Sequence, residues 1–127
     1  MFIKNSELPL IASALTELYG ARLPFAAAKA VAKNADILSE ALDSLYESEK
    51  KLNDEFLLHG EDGNLIVRYG THVFDPSRAE EFKERVRELR ESGSDLPLKW
   101  IDASLLGSAF VTPLSAKRLA PILKGGR

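Results

Sequence analysis

The chain has 127 residues and no cysteine, which excludes disulfides, thiolate catalysis, iron–sulfur clusters and cysteine-based zinc sites. At 45% hydrophobic and 28% charged residues it has an ordinary globular composition, long enough for one domain whose core needs no staple. The net charge of −2 gives no overall pull toward nucleic acid, no apolar run reaches the ~18–20 residues of a membrane span, and Met1-Phe2-Ile3-Lys4-Asn5 lacks the blocks of a secretion signal, so a soluble cytoplasmic protein is expected.

Residues 1–5 read as a lead-in with one short strand. Asn5 or Ser6 can cap a helix over 6–19, with Pro9 tolerated in its first turn and Leu8, Ile11, Leu15 and Leu18 on one face. After the turn Ala21–Leu23, Pro24 opens a second helix that runs to His59, roughly 50 Å at about 1.5 Å per residue. So short a loop makes the two helices antiparallel neighbours. The stripe Ala28, Val31, Ala35, Leu38, Leu42, Leu45, Leu52 and Phe56 keeps the 3.5-residue average of a coiled coil, and only Glu49 interrupts it.

The first helix reaches only the first half of that stripe. Leu42, Leu45, Leu52 and Phe56 must bury against the rest of the chain or against a second copy, so with Glu49 they are candidate protein-binding residues. A polar residue such as Glu49 in an apolar seam fixes register or oligomeric state. The rival reading, a catalytic carboxylate, needs a second acid or base held in a cleft.

Gly60 to Asn64 breaks the helix, and Leu65–Tyr69 and Thr71–Phe74 read as a hairpin about Tyr69-Gly70. Such a turn places Val67 opposite His72, Ile66 opposite Val73 and Leu65 opposite Phe74. Asp75-Pro76-Ser77 starts a helix that runs to Glu91, with Ala79, Phe82, Val86 and Leu89 as its apolar edge. Its five basic and five acidic residues balance, and pairs such as Glu81–Arg85 and Arg87–Glu91 sit four apart. Leu96–Ile101 is apolar and extended, and Pro97 confines it to an edge, so it is expected as the third strand beside the hairpin. Thr112-Pro113 opens a last helix that ends near Pro121.

The architecture expected is therefore an α-rich α+β fold in a single domain, 1–127. Residues 1–59 form the antiparallel helical pair, 60–75 a hairpin, and 76–127 a helix, an edge strand and a C-terminal helix.

Chemistry-bearing residues are sparse. His59 and His72 flank the hairpin near Glu61, Asp62 and Asp75, but their spacing matches no metal-ligand pattern, and His59 has a structural use at a helix end. No serine lies in a nucleophile elbow. The expectation is no enzyme, no metal and no cofactor. Trp is highly buried on average, so Trp100 reads first as a core aromatic and second as an exposed binding hot spot. From Ala103 to Arg127 there is no acid, and Lys117, Arg118, Lys124 and Arg127 form a basic tail. A solvated terminus is its simplest reading. Nucleic-acid binding through this tail is an alternative that the balanced charge of the preceding helix does not favour.

Taken together, Asn5 with Glu7-Leu8, Leu23-Pro24, Lys33-Asn34 and Glu61-Asp62-Gly63-Asn64 resemble a family of small accessory proteins of tailed bacteriophages. The family has no established activity, so the resemblance implies context and transfers no site residue. It implies a phage-encoded, accessory, non-catalytic protein of the host cytoplasm. The stripe longer than its cover points to a protein-binding module self-associating through the distal long helix, and the mixed fold with an acidic majority and a basic tail suits one that binds and modulates a host protein as an inhibitor does. The alternative is a virion or assembly protein.

Overall fold

The computed structural model describes residues 1–107 and 111–124. Among them the chain is an α-rich α+β fold with four α-helices and small sheets. The helices are α1 (Leu8–Thr16), α2 (Phe25–Glu55), α3 (Ala79–Glu91) and α4 (Pro113–Leu119). Strand β1 (Phe2–Lys4) pairs antiparallel with β4 (Gly93–Asp95), β2 (Val67–Arg68) with β3 (Thr71–His72), and β5 (Ile101–Asp102) parallel with β6 (Leu123–Lys124).

Helix α1 packs against both α2 and α4. It buries Leu8, Ile11, Ala14 and Leu15. These meet Ile3 of β1, Val31, Leu38 and Leu45 of α2, Leu98 and Ile101 around β5, and Leu119 and Ile122 at the C-terminal end. Asn5 does not cap α1. Its carboxamide donates 2.8 Å to the Leu89 carbonyl in the last turn of α3, where carbonyls lack a helical partner. Pro24 stands at the N-cap of α2, which ends at Glu55, four residues before His59. At the far end, Thr112 caps α4 by accepting from the Ser115 amide, and Glu17 accepts from the Thr112 amide at 3.2 Å.

In the distal half of α2, Leu45, Leu52 and Phe56 are covered by the rest of the chain rather than by a second copy, which corrects their reading as protein-binding residues. Leu45 and Leu52 are each 7% exposed and Phe56 1%, while Leu42 and Glu49 are half-buried. Leu45 belongs to the core cluster with Leu8 and Leu98, against which Leu89 and Leu96 pack, and Leu52 lines a cleft with Arg85 and Leu89 of α3. Phe56 meets Phe82 edge-on at 5.4 Å, Phe82 meets Phe74 at 5.1 Å, and the Arg78 guanidinium lies 4.0 Å over the Phe56 ring. The cover comes from α3 and the segment after it, elements distant in sequence whose apolar edges need the same burial. Arg85 bridges to Glu55 at 2.9 Å, joining α3 to the end of α2. Glu81 pairs with Arg78, not with Arg85, and Arg87 pairs with Glu84 as well as Glu91.

The hairpin forms about Tyr69-Gly70 with Val67 against His72, as its residues dictate. Both turn residues have positive φ, 52° and 79°, the two-residue turn whose twist matches that of the strands. Its third neighbour is not Leu96–Ile101. Leu58 takes that place: it donates to Val73 O, accepts from Ile66 N, and is flanked by bridges from Leu57 to Phe74 and from His59 to Leu65. Leu65 and Phe74 therefore do not face each other across the hairpin. The Leu96–Ile101 segment is drawn to α2 instead. The Asn34 carboxamide donates to Lys99 O at 2.8 Å and accepts from Lys99 N at 2.7 Å.

Three aspartates close turns in the same way. Asp62, Asp75 and Asp102 each accept from the amide two residues on and also from that residue's side chain, Asn64, Ser77 and Ser104 respectively. These bonds favour the charged form and hold all three carboxyls below the ordinary aspartate value. Groups with depressed native pKa values contribute stability that is present above their unfolded value near 3.9. That contribution is lost as pH falls through the native values. Melting temperature is therefore expected to drop steeply below about pH 4, and the combined Asp75→Ala and Asp102→Ala variant is expected to lose part of that acid limb. Circular-dichroism melts between pH 2 and 6 check this, and parallel wild-type and variant profiles would contradict it.

Candidate interaction surface

Placed on the fold, the sequence candidates separate. Leu45, Leu52 and Phe56 are inside, and Leu42 and Glu49 lie on the flank of α2. His59 is exposed, with Nδ1 3.0 Å from Leu57 O, and His72 is exposed on β3. Among the described residues no three or more His, Asp or Glu side chains gather as a metal-ligand set. The cleft of about 360 Å³ between α2 and Ser94–Pro97 carries Glu40, Ser44, Ser48 and Ser94 on its walls. Its lining holds no histidine or lysine to activate a serine. Lys117 and Lys124 are exposed, Arg118 is half-buried, and Arg127 lies outside the described residues. Trp100 is on the surface, 57% exposed, which corrects its reading as a core aromatic.

Exposed apolar side chains include Phe25, Phe2, Tyr19 and Leu114 on other elements, and a further set lies on the hairpin. Alternation along the strands sends Ile66 and Val73, both half-buried, to one face. Val67 and His72, paired across the turn, take the opposite face and are exposed, and Leu65 two residues before Val67 is exposed too; Phe74, part-exposed, turns its ring onto Phe82 instead. Tyr69 at the tip has no cover at all, at 104% of its reference area. Its φ of 52° is in the left-handed region, where a bulky residue is strained by roughly 1–2 kcal/mol. Asparagine or glycine would make this turn without that strain. A tyrosine held there keeps a large amphipathic side chain in the most accessible position of the hairpin.

Sequence reasoning identified the hairpin and missed this face. The signal was present: apolar residues occupy both alternation classes, at 65 and 67 as well as at 66 and 73. A two-stranded ribbon on a single layer of cover buries one class only, so the other had to remain outside.

Membrane spanning has no support in the helices, because among the described residues none is long and apolar enough to cross a bilayer. Comparison of the chain with protein-family models, with curated proteins and with solved structures gives no match.

Proposed function

We propose that this protein is a non-enzymatic protein-binding module that holds its partner on the outer face of the hairpin, with Tyr69 as the anchor. The supporting observation is the strained, fully exposed Tyr69 on the same hairpin as exposed Leu65 and Val67. Aromatic anchors at the centre of an apolar patch carry most of the energy of typical interfaces. An exposed patch of this kind on a small chain marks an interaction site. The resemblance to accessory proteins of tailed bacteriophages supplies the setting, and the acidic majority of the chain with its basic tail favours a host protein that is bound and modulated as the partner. The cover over Leu45, Leu52 and Phe56 removes the motive for self-association through that helix, so the partner surface moves from the long helix to the hairpin.

Tyr69→Asn separates binding from folding. Asn-Gly is the preferred pair for this turn, so the variant is expected to be as stable as the wild type, or up to about 1 kcal/mol more stable. Loss of the anchor is expected to cost about 2 kcal/mol or more of binding, roughly 30-fold in Kd. Affinity capture from host extract with wild-type and Tyr69→Asn protein side by side, followed by a titration of the captured species, provides the measurement. Equal capture by both proteins, or a species retained equally by an unrelated bait, would refute the assignment.

A further inference from the structure

A trough lies between α2 and the chain around β4. Two clefts of about 360 and 380 Å³ make it, and Ser48 lines both. On α2 the lining runs from Ile37 to Glu55, roughly 27 Å at about 1.5 Å per residue. A volume of this size spread over that length is a narrow channel. It admits one extended chain, roughly eight residues at about 3.3 Å each. It does not admit a helix, which is about 10 Å across with its side chains.

The first cleft has the more definite chemistry. Its buried and half-buried apolar lining includes Leu45, Ala41 and Leu96, and its exposed lining includes Ser44, Ser48 and Ser94. Glu40 is the only charged residue in that lining. Asp36, Glu40, Asp43 and Glu47 follow one another at steps of three and four, so they share one edge of α2. Among the described residues none of the four makes an ion pair. The nearest bases on the helix, Lys33 and Lys50, lie beyond the two ends of the run. The opposite wall, Asn5, Ser94, Leu96 and Pro97, is uncharged, and the neighbouring Asp95 is already held by the Met1 amino group at 3.1 Å. Aliphatic carbon beside a carboxylate with no counter-charge is complementary to a side chain with an aliphatic stem and a cationic head, which is lysine or arginine.

We infer that this trough binds an extended segment of a protein partner, with one lysine or arginine of the segment against Glu40 and its aliphatic side chains on Leu45 and Leu96. Serines on both walls can donate to or accept from the backbone of such a segment whatever its sequence. A nucleic acid or other polyanion is repelled by the acidic edge. None of the lining belongs to the hairpin, so the site is independent of Tyr69.

The probe is a displayed library of random octapeptides, selected on the full chain. Enriched sequences are expected to share one lysine or arginine beside aliphatic residues. A blocked, fluorescein-labelled copy of the most enriched octapeptide is expected to bind saturably by anisotropy. Glu40→Gln is expected to weaken it about fivefold. Ser44→Phe puts a ring into the trough from an exposed position and is expected to weaken it about tenfold or more. Asp54→Asn and Ser39→Phe, exposed on the same helix outside the lining, and Tyr69→Asn on the hairpin are expected to leave binding unchanged. Thermal melts confirm that each variant is folded. Absence of enrichment overturns the inference, as do enriched peptides without a basic residue, or equal effects of Glu40→Gln and Asp54→Asn. So does displacement of the octapeptide by spermidine at equal concentration, which assigns the acid to a free polyamine. A dimer of the free chain that Ser44→Phe dissociates gives the trough to a second copy and overturns it too.

Discussion

Asn34→Asp is expected to destabilise the chain by about 3–5 kcal/mol at pH 7, which for a domain of this size is a shift of roughly 10–20 °C in melting temperature. Asn34 is fully buried, and its two side-chain atoms satisfy the amide and the carbonyl of one residue 65 positions away. Aspartate keeps the acceptor for Lys99 N and loses the donor. A carboxylate oxygen is then turned toward the Lys99 carbonyl with no water to separate them. Burial and that contact raise the folded-state pKa of the introduced acid. The defect therefore grows as pH rises from the unfolded value near 3.9 to the raised native value, and is smallest where the carboxyl is protonated and can donate again. Asn34→Leu removes both partners at once, leaves two buried backbone groups unpaired, and shows the same order of loss with no pH dependence. Urea denaturation of the three proteins at pH 4 and pH 7 distinguishes these outcomes. A loss below about 1 kcal/mol in both variants would mean that the clamp does not hold the segment.

The same residue marks the boundary between what was legible in the sequence and what was not. Features whose cause lies within a few residues could be read directly: the long apolar stripe of α2, the turn at Tyr69-Gly70 with Val67 against His72, the Asp75-capped turn Pro76–Arg78 that leads into α3, and the Thr112 cap of α4. Each follows from spacing, φ preference or local hydrogen bonding. Features set by distant partners could not. Nothing in the run 96–101 says that its backbone is held by a helix rather than by a hairpin. Nothing near Leu58 says that it will fill the place beside Ile66 and Val73. Period alone showed that Leu52 and Phe56 must be covered, and could not show that α3 covers them. The candidate surfaces were misjudged for the same reason. Exposure of Trp100 and of the outer hairpin face depends on which neighbours arrive, and that is decided by the whole fold.

Gly93→Ala is the second substitution expected to be severe, at about 3 kcal/mol, with Gly93→Val worse. The cause is space rather than backbone conformation. A Cβ added at Gly93 meets Ile3 O at 2.3 Å and Ile3 C at 2.9 Å, contacts that real Cβ atoms do not make. The Phe2 ring edge, 2.8 Å away, belongs to an exposed side chain and can move aside. The Ile3 backbone cannot, because its side chain is 2% exposed in the core and its strand is tied along its length. The Asn5 amide donates to Ser92 O at 2.7 Å, the Leu96 amide donates to Met1 O at 2.8 Å, and the Met1 amino group lies 3.1 Å from the Asp95 carboxylate. Relief of the clash must therefore either open the β1–β4 pair or withdraw Ile3 from its place beside α1. Ser94→Ala, one residue on and exposed, serves as the control and is expected to stay within about 0.5 kcal/mol. Hydrogen exchange provides the local readout, with protection lost first at the amides of residues 3–6 and 96. The folded-state emission of Trp100 separates the two severe variants. It is expected to be unchanged in Gly93→Ala, which acts on the β1–β4 pair, and shifted in Asn34→Leu, which releases the residue beside the indole. A Gly93→Ala protein within about 0.5 kcal/mol of wild type would contradict the close approach of the two strands.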